Sequence, residues 1–440
     1  MSIKNRGARV VRGWLGSLVA AMAAMAALAL PTMALAADPT VPGEVLVKLR
    51  SDADLQPLTL RHGLTLKSRF GARPIYRMGV VGNVPVADKL AALLLDPAVL
   101  LAEANSVHSS PEGRKGLVWA VGSAEAYAVQ WAPAAIRLPQ AHRRSVGSGV
   151  RVAVLDTGVD LQHPLLAGRL LPGFDFVDFD ADPSEQGSPA DVGWGHGTHV
   201  AGIVAMVAPG AKIMPVRVLN AQGQGDEWVL GEALLYAVDP DRNPATPDGA
   251  QVINLSLGSL NPTSLMGALA SLATCAFVTN PDPLADFTDA GYNVDRQRCS
   301  NGLGAVVVAA AGNGASKRER QYPAAENEYG LIPVAATQPG QKLAGFSNFG
   351  GWVELAAPGE QITSALPGGA YGTWGGTSMA APMVAGAAAL LRAKEPDLDP
   401  VKVVRRLERR SVALCGDVKQ VQLDAAALMG FALQADPVCP

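Results

Sequence analysis

The chain is poor in aromatic side chains and has almost no net charge. Only 5% of its 440 residues are aromatic, and its formal net charge of -3 gives no basic surface for nucleic acid. Cysteine and histidine are also scarce, with 4 and 6 residues. Glycine and proline are abundant instead, with 47 and 32 residues, which predicts many tight turns and closely packed helices. This composition excludes a bundle of membrane helices and a nucleic-acid partner.

The first 36 residues have the pattern of an export signal. Basic residues precede an apolar run at 14–30, and a small-x-small cleavage pattern ends at Ala36. The alternative is an uncleaved membrane anchor, but the run is near the short limit for a bilayer span. We therefore predict an exported protein, periplasmic or extracellular, with no stable membrane insertion after the signal is removed.

Export gives the four cysteines a structural meaning, because disulfides persist in oxidising compartments. Of the three possible connectivities, the sequence-local one pairs Cys275 with Cys299 and Cys415 with Cys439. Neither pair has the spacing of a metal site, and no histidine is close by.

A small unit at 37–105 follows the signal. It has a strand pattern at 44–49 and a helix pattern at 88–95, and about 70 residues is small for an independent core. The polar, glycine-rich segment at 106–126 predicts an exposed linker that is open to cleavage. The small unit is therefore interpreted as a proregion that depends on its partner to stay folded.

Strands and helices alternate in the large unit at 127–432, which a short tail at 433–440 follows. Its strand patterns are continuous apolar runs, as in strands buried on both faces: 150–155, 212–219, 252–257, 305–310 and 331–336. Helical stretches such as 228–238 separate them. This alternation predicts an α/β fold with a central, mostly parallel sheet covered by helices, and a site beyond the carboxyl ends of the strands.

A glycine turn at 375–376 delivers the hydroxyl of Ser378 to the start of an uncharged helix. Residues 379–391 carry no charge, so this helix is expected to be buried, with Pro382 in its first turn. A helix N-terminus stabilises negative charge, which suits a nucleophile whose attack creates an oxyanion. The alternative is an ordinary helix cap.

Three further polar residues lie at the ends of predicted elements. Asp156 ends the strand at 150–155, Asn313 follows the strand at 305–310, and His196 opens a small-residue helix. Each has a simpler reading: a turn residue for Asp156 and Asn313, and a zinc pair with His199 for His196. Together with Ser378, however, they supply a base, an orienting carboxylate, an oxyanion donor and a nucleophile for acyl transfer.

Three longer motifs carry a resemblance to a known family. The chain reads VAVLDTG at 152–158, HGTHVAG at 196–202 and GTSMAAP at 376–382, and it resembles the subtilisin-family (subtilase) serine peptidases. Asp, His and Ser occur here in the order found in subtilisin. The resemblance implies a three-layer subtilisin-like fold preceded by a small α+β propeptide domain.

The resemblance also implies roles for individual residues. Asp156 orients His196, which is the general base and acid, and Asn313 donates to the oxyanion together with the backbone N–H of the nucleophile Ser378. No cofactor takes part in the chemistry. Polypeptide substrates would bind as an extended strand between two predicted segments: Gly223, Gln224, Gly225, and Ser256, Leu257, Gly258.

The unit at 37–105 resembles, more weakly, the inhibitory propeptide of this family, which makes the chain's own propeptide an expected partner. This resemblance implies that the enzyme cuts itself within or near residues 106–127.

The chain departs from the family pattern at three places. An insertion at 274–300 carries two of the cysteines; it is interpreted as a stapled surface loop, and the alternative is a segment that shapes the substrate cleft. Gln321 stands where many members have a glycine that lines the primary specificity pocket, so a narrowed pocket is expected there. An acidic run could hold a structural calcium ion or form a solvated face: Asp175, Asp178, Asp180 and Asp182.

Two other functions are compatible with the same residues. One is a non-catalytic peptide-binding module on the same fold, and the other is an esterase with little peptidase activity. We favour a serine endopeptidase because no essential catalytic residue is missing.

Overall fold

The computed structural model describes residues 38–114, 120–278, 290–353, 355–416, 420–435 and 439. The predicted export signal lies outside these residues, as do parts of the linker, the insertion and the C-terminal tail: 115–119, 279–289, 436–438 and 440. Within the described ranges, no helix is long and apolar enough to cross a bilayer.

The N-terminal unit is an antiparallel sheet with two helices. In chain order its elements are β1 (Thr40–Leu49), α1 (Leu55–His62), β2 (Leu64–Arg69), β3 (Ile75–Val80), α2 (Val86–Leu93) and β4 (Val99–Ser109). The strand order is β2-β3-β1-β4. Side chains alternate along β1, so Val45, Val47 and Leu49 form a core with Leu58 and Leu93 of the two helices.

The opposite face of this small sheet packs on the rest of the chain. Leu46, Ile75 and Leu101 belong to the same apolar core as residues of the large unit. The small sheet therefore shares one of its two apolar faces with the large unit, as expected for a segment too small to bury enough surface alone.

The large unit contains the remaining elements, which are α3 (Pro111–Arg114), β5 (Ala120–Val121), α4 (Ala124–Val129), α5 (Trp131–Ala135), α6 (Leu138–His142), β6 (Arg151–Asp156), β7 (Phe174–Asp175), α7 (His196–Val207), β8 (Lys212–Arg217), β9 (Gln224–Asp226), α8 (Glu227–Val238), β10 (Val252–Leu255), α9 (Ser264–Thr274), α10 (Ala290–Ser300), β11 (Val306–Ala310), β12 (Leu331–Gln338), β13 (Lys342–Leu343), β14 (Leu355–Pro358), β15 (Ile362–Leu366), β16 (Ala370–Trp374), α11 (Thr377–Lys394), α12 (Pro400–Arg409), β17 (Ser411–Ala413), β18 (Val421–Leu423) and α13 (Ala425–Leu428). Single turns of 3₁₀ helix lie at Asp52–Asp54, Pro164–Leu166, Ala276–Val278, Ala324–Glu326 and Pro367–Gly369.

A central, mostly parallel sheet organises this unit. Its strand order is β17-β18-β14-β12-β11-β10-β6-β8-β7, and only β17 and the short β13 pair antiparallel with their neighbours. Alternate residues of β6 enter different cores: Val152 and Val154 pack with α7 and α11, whereas Ala153 and Leu155 pack with α8 and α9. Burial on both faces explains why the strands read as continuous apolar runs. The predicted α/β fold is confirmed.

The two disulfides follow the sequence-local pairing. Cys275 bonds Cys299 and Cys415 bonds Cys439, each across 24 positions of the chain. The first one fastens α10, at the end of the insertion, to the end of α9. In α10, Asp295 forms a buried ion pair with Arg73 of the N-terminal unit. The insertion is therefore more than a surface loop, because it contacts the N-terminal unit.

The predicted linker is wrong in its first residues. β4 continues through Ser109, and the side chains of Ser106, His108 and Ser110 are buried rather than exposed. The reason is that β4 leaves the small sheet and pairs antiparallel with β9 of the large unit. The segment in which cleavage is expected therefore begins inside a groove of the large unit.

Candidate active site

Asp156 is carried to the edge of the central sheet by β6, as predicted. Its side chain is fully buried, and Oδ1 accepts hydrogen bonds from the backbone N–H of Thr157 at 2.8 Å and from Nδ1 of His196 at 2.6 Å. The helix that carries His196 approaches closely, because a Cβ on Gly197 would lie 2.1 Å from the carbonyl oxygen of Gly158. The glycine after His196 is therefore needed for the contact between the imidazole and the carboxylate.

Ser378 is the second residue of α11, which is buried along nearly its whole length. The prediction that Pro382 lies in the first turn is wrong, since it is the sixth residue of the helix. A proline at this position lacks the N–H that would bond to the carbonyl oxygen of Ser378. The hydroxyl of Ser256 takes its place, donating to that oxygen at 2.8 Å. Ser256 thus supports the backbone of Ser378.

Asn313 lies next to the start of α11. Its Oδ1 accepts from the backbone N–H and the hydroxyl of Thr377, each at 3.0 Å. These two bonds fix the amide, so that its Nδ2 donor points into the site. The backbone N–H of Ser378 is among the first N–H groups of α11, which have no partner within the helix. Two donors are thus available beside the Ser378 hydroxyl.

A residue that the sequence analysis did not single out lies among these groups. Oε2 of Glu112 accepts from the Ser378 hydroxyl at 2.7 Å and from Nε2 of His196 at 3.1 Å. Its Oε1 accepts from Nδ2 of Asn313 at 2.9 Å. A Cβ on Gly376 would lie 1.8 Å from Oε1, so the carboxylate occupies space that only glycine leaves open. The side chain of Glu112 is 15% exposed.

The charges of this cluster support each other. Burial alone would lower the pKa of His196, but the charge and hydrogen bond of Asp156, followed by those of Glu112, raise it to about 10. Burial tends to raise the pKa of Glu112, yet the hydrogen bonds and charge of His196, with the bonds from Ser378 and Asn313, lower it overall. At neutral pH the site therefore holds an imidazolium between two carboxylates.

The other histidine of the motif has a different environment. His199 is fully buried, stacks on Trp374 with ring centroids 4.7 Å apart, and bonds through Nε2 to the carbonyl oxygen of Gly372. Burial lowers its pKa to about 3. A neutral, packed imidazole of this kind explains why one histidine enters the cluster and the other does not, and the zinc-pair reading finds no support in this arrangement.

The two predicted substrate segments flank β4. On one side, His108 is in register with Gly225, and the backbone N–H of Ser110 donates to the carbonyl oxygen of Gly223 at 3.1 Å. On the other side, Ser109 and Gly258 exchange two backbone hydrogen bonds of 2.9 Å. The end of the N-terminal unit thus lies as a strand between Gln224 and Leu257 and their neighbours, with Glu112 following in α3.

Gln321 is buried beside these segments. Its side chain is in the space that a Cβ on Gly258 or Gly312 would fill, with atoms 2.5 Å and 2.6 Å from those positions. Its Nε2 is buried and has no hydrogen-bond partner within the described ranges. Gln321 therefore spans the gap between the Gly258 segment and the loop before Asn313.

The acidic run is not a cage for a calcium ion. The guanidinium of Arg217 forms ion pairs with Asp175 and Asp178, and Asp175 is fully buried. Asp180 and Asp182 accept backbone N–H groups within their own turns. The guanidinium of Arg217 takes the position that a metal cation would need. Because Asp175 is buried, the interpretation of the run as a solvated face is also wrong for this residue.

Another acidic group has oxygen atoms within 4.8 Å of one another and consists of Asp239, Asp241 and Asp248. Asp241 is exposed and accepts the hydroxyl of Thr246. Since exposed carboxylates commonly cluster without a metal, we assign no ion to this group.

Comparison with known proteins agrees with this geometry. A model of the Subtilase family matches residues 147–429. The chain is 36% identical over 322 residues to Thermophilic serine proteinase of Bacillus sp. (strain AK1), covering 71% of this chain and 67% of that protein. It is 38% identical over 272 residues to Thermitase of Thermoactinomyces vulgaris, covering 60% and 81%.

Among solved structures, the chain is similar to fervidolysin from Fervidobacterium pennivorans, a keratinolytic enzyme related to subtilisin. The TM-score is 0.68 at 23% identity, and the match covers 90% of this chain and 62% of that one. This likeness supports the fold of both units. The family match supports more, since it spans most of the large unit, and this chain therefore belongs to the subtilase family and is a serine-type endopeptidase.

Proposed function

We propose that this chain is an exported endopeptidase that is made as a self-processing precursor and uses Asp156, His196 and Ser378 as its catalytic triad. The observation that carries the proposal is the convergence of three donors on one carboxylate, that of Glu112. The hydroxyl of Ser378, Nε2 of His196 and Nδ2 of Asn313 all reach it. A substrate carbonyl in this position would meet the nucleophile, the base and an oxyanion donor together.

The reaction then follows from these contacts. His196 takes the proton of Ser378 as the hydroxyl attacks the peptide carbon, and Asp156 holds the imidazole in the required tautomer and stabilises its charged form. Asn313 and the backbone N–H of Ser378 stabilise the oxyanion. His196 next protonates the leaving amine, and water attacks the acyl-Ser378 intermediate by the reverse proton transfers. Subtilases need no cofactor for this catalysis.

Export and self-processing are tested together by sequencing the N-terminus of the secreted protein. We expect it to begin within or near residues 106–127. Casein and a small ester then separate the functions, because an endopeptidase cleaves both, an esterase only the ester, and a peptide-binding module neither. A secreted protein that still carries residues 37–105 and cleaves no casein would contradict the proposal.

Substrates are proposed to bind as β4 does, as an added strand between the Gly223 and Gly258 segments. Such binding uses backbone groups, which every sequence offers, and leaves selectivity to side-chain pockets. Gln321 fills the space between Gly258 and the Asn313 loop. We therefore propose that it limits the size of the residue on the acyl side of the scissile bond.

Replacing this side chain tests the limit. We expect Gln321→Gly to raise kcat/KM for a peptide with phenylalanine on the acyl side at least tenfold relative to the same peptide with alanine, because a large apolar residue gains about 1–3 kcal/mol from a pocket it fills. Release of a chromogenic amine measures both rates. Gln297→Gly, on the surface of α10, is the control. An unchanged ratio would show that Gln321 does not restrict the pocket.

We also propose that Glu112 keeps the precursor latent. Its carboxylate accepts a hydrogen bond from the Ser378 hydroxyl, which would otherwise be directed to His196. It also holds His196 as an imidazolium and occupies the Nδ2 donor of Asn313. An imidazolium cannot act as a base. This ion pair persists as the pH rises until His196 loses its proton near its raised pKa of about 10. Neutral pH alone therefore does not release the site.

Removing the charge of Glu112 is expected to hasten maturation. Charge-assisted hydrogen bonds contribute about 1.5–3 kcal/mol each, so Glu112→Gln should convert precursor to mature enzyme at least tenfold faster at pH 8. The precursor is purified, and its conversion is followed on gels over time. Glu125→Gln, an exposed change in α4, serves as the control. Equal or slower conversion of the Glu112 variant would exclude a latching role.

A further inference from the structure

We infer that Glu185 is a positioning residue, which holds the loop after Asp156 and the start of the His196 helix in the relative placement that catalysis needs. The inference rests on the proposed roles of Asp156 and His196. Glu185 is partly buried and lies in the connection between β7 and α7, far in sequence from both the Ser378 helix and the Asn313 loop.

Three donors reach the Glu185 carboxylate. Oε1 accepts the hydroxyl of Thr157 at 2.6 Å. Oε2 accepts both the hydroxyl and the backbone N–H of Thr198, at 2.8 Å and 3.1 Å. Thr157 directly follows Asp156, and Thr198 is two residues after His196. One carboxylate thus joins the segments that carry the two ends of the Asp156–His196 hydrogen bond.

The threonine hydroxyls connect the same segments a second time. Oγ1 of Thr157 accepts the backbone N–H of Gly197 at 2.9 Å. Oγ1 of Thr198 accepts the backbone N–H of Asp160 at 2.8 Å. Each hydroxyl donates its one hydrogen bond to Glu185. Each also accepts a hydrogen bond from a backbone N–H of the other segment. The network is therefore complete only when Glu185 accepts every bond it makes.

Ionisation of Glu185 follows from this bonding pattern. A protonated carboxyl would have to donate one hydrogen, and the nearby hydroxyls and N–H group are already donors toward it. An ionised carboxylate at the N-terminus of α7, a helix of 12 residues, is also favoured by the helix dipole. Protonation would therefore break at least one link between the two segments.

The surroundings set the pH at which this happens. Asp156 on β6, Asp160 in the loop after β6, and His196 and His199 on α7 are ionisable groups on the segments that Glu185 joins. Burial raises the pKa of Glu185 to about 7, with repulsion from Asp156 adding to it and the threonine bonds opposing it. Glu185 thus becomes protonated in the same pH range as a free catalytic histidine.

The experiment compares kcat/KM across pH 5 to 9 for the mature wild-type enzyme and Glu185→Gln, with a chromogenic peptide amide as substrate. For the wild-type enzyme we expect two protonations on the acid side, of which that of Glu185 lowers kcat/KM about tenfold, so that log kcat/KM falls with a slope steeper than one over part of the acid limb. Glu185→Gln should lower kcat about tenfold at pH 8, with KM within twofold, because the reacting groups are misplaced and substrate contacts are not. Its acid limb should nowhere be steeper than a slope of one.

Glu232→Gln is the matched control. Burial also raises the pKa of Glu232, to about 6, but this residue lies on α8, away from the triad. It should leave the steeper part of the acid limb unchanged. Thr198→Val removes both hydrogen bonds of the Thr198 hydroxyl, the one to Glu185 and the one from the backbone N–H of Asp160, and keeps the carboxylate. We expect it to lower kcat at least threefold with the steeper part of the acid limb retained. This variant keeps the test decisive if Glu185→Gln fails to fold.

An unchanged slope in Glu185→Gln, or an unchanged kcat in a folded Glu185→Gln or Thr198→Val enzyme, would overturn the inference. These outcomes differ from a failure of the proposed function, in which the wild-type enzyme would not hydrolyse the peptide at all.

Discussion

We expect Ser378→Ala to abolish peptide hydrolysis and to leave the precursor uncut. The substitution removes the hydroxyl that donates to Glu112 beside His196, and it leaves His196 without a serine from which to take a proton. We expect kcat to fall by about 10⁶, the loss known for removal of the nucleophile in subtilisin, the namesake of this family. The helix itself should be unaffected, since alanine favours helical structure.

Casein hydrolysis and the size of the secreted product measure this result. The variant should appear as a single band heavier than the mature enzyme by the mass of the N-terminal unit. Ser300→Ala, an exposed serine at the end of α10, should mature and cleave casein normally. Processing of the Ser378 variant at the normal position would mean that another protease cuts the precursor.

Asn313→Ala retains the proposed triad but removes the amide donor from the proposed oxyanion site. We expect kcat to fall about 10² to 10³-fold with little change in KM, the range known for loss of the corresponding donor in subtilisin, because the amide binds negative charge that exists only in the transition state. Steady-state hydrolysis of a chromogenic peptide by the mature enzyme gives both constants.

Asn313 also bonds to Thr377, so the variant needs a control for structural damage. Asn313→Asp keeps the acceptor for the backbone N–H and hydroxyl of Thr377 and lacks the donor. It should fold and lose at least as much activity. Asn301→Ala, an exposed site, should behave as the wild type. An Asn313→Asp enzyme with normal kcat would contradict the oxyanion role.

The site residues identified from the sequence could be predicted for one reason, which is that neighbouring residues fix their positions. Asp156 ends a strand that is apolar on both faces, and Ser378 opens a helix without charges, so each polar residue has a position fixed by its own element. A parallel sheet brings such strand ends and helix starts to one edge. Neighbouring residues were therefore enough to find four groups that the fold brings together.

Glu112 had no such signal. It contacts His196 across 84 positions of the chain and Ser378 across 266. The position of Glu112 depends on the pairing of β4 with β9. The polar sequence at 106–126 does not reveal this tertiary contact. Composition suggested exposure, but backbone pairing with the large unit buries the first residues of this segment.

Arg217 and Pro382 also show that a local sequence pattern can mislead when its partner is distant in the chain. The acidic run resembles a cation site until Arg217, on a different strand, places its guanidinium between Asp175 and Asp178. Its local sequence predicts that Pro382 lies in the first helical turn, but the hydroxyl of Ser256 supplies the donor that the proline lacks and permits a later position. In both cases a partner distant in sequence changes the meaning of a local pattern.

Labelling of the mature enzyme with a fluorophosphonate, followed by mass spectrometry of its peptides, tests the central claim most directly. Such a reagent reacts with an activated serine and spares ordinary hydroxyls. We predict one adduct per molecule, on Ser378, and none after His196→Ala or in the latent precursor. An enzyme that cleaves casein while its label lies elsewhere, or that takes no label, would show that Ser378 is not the nucleophile.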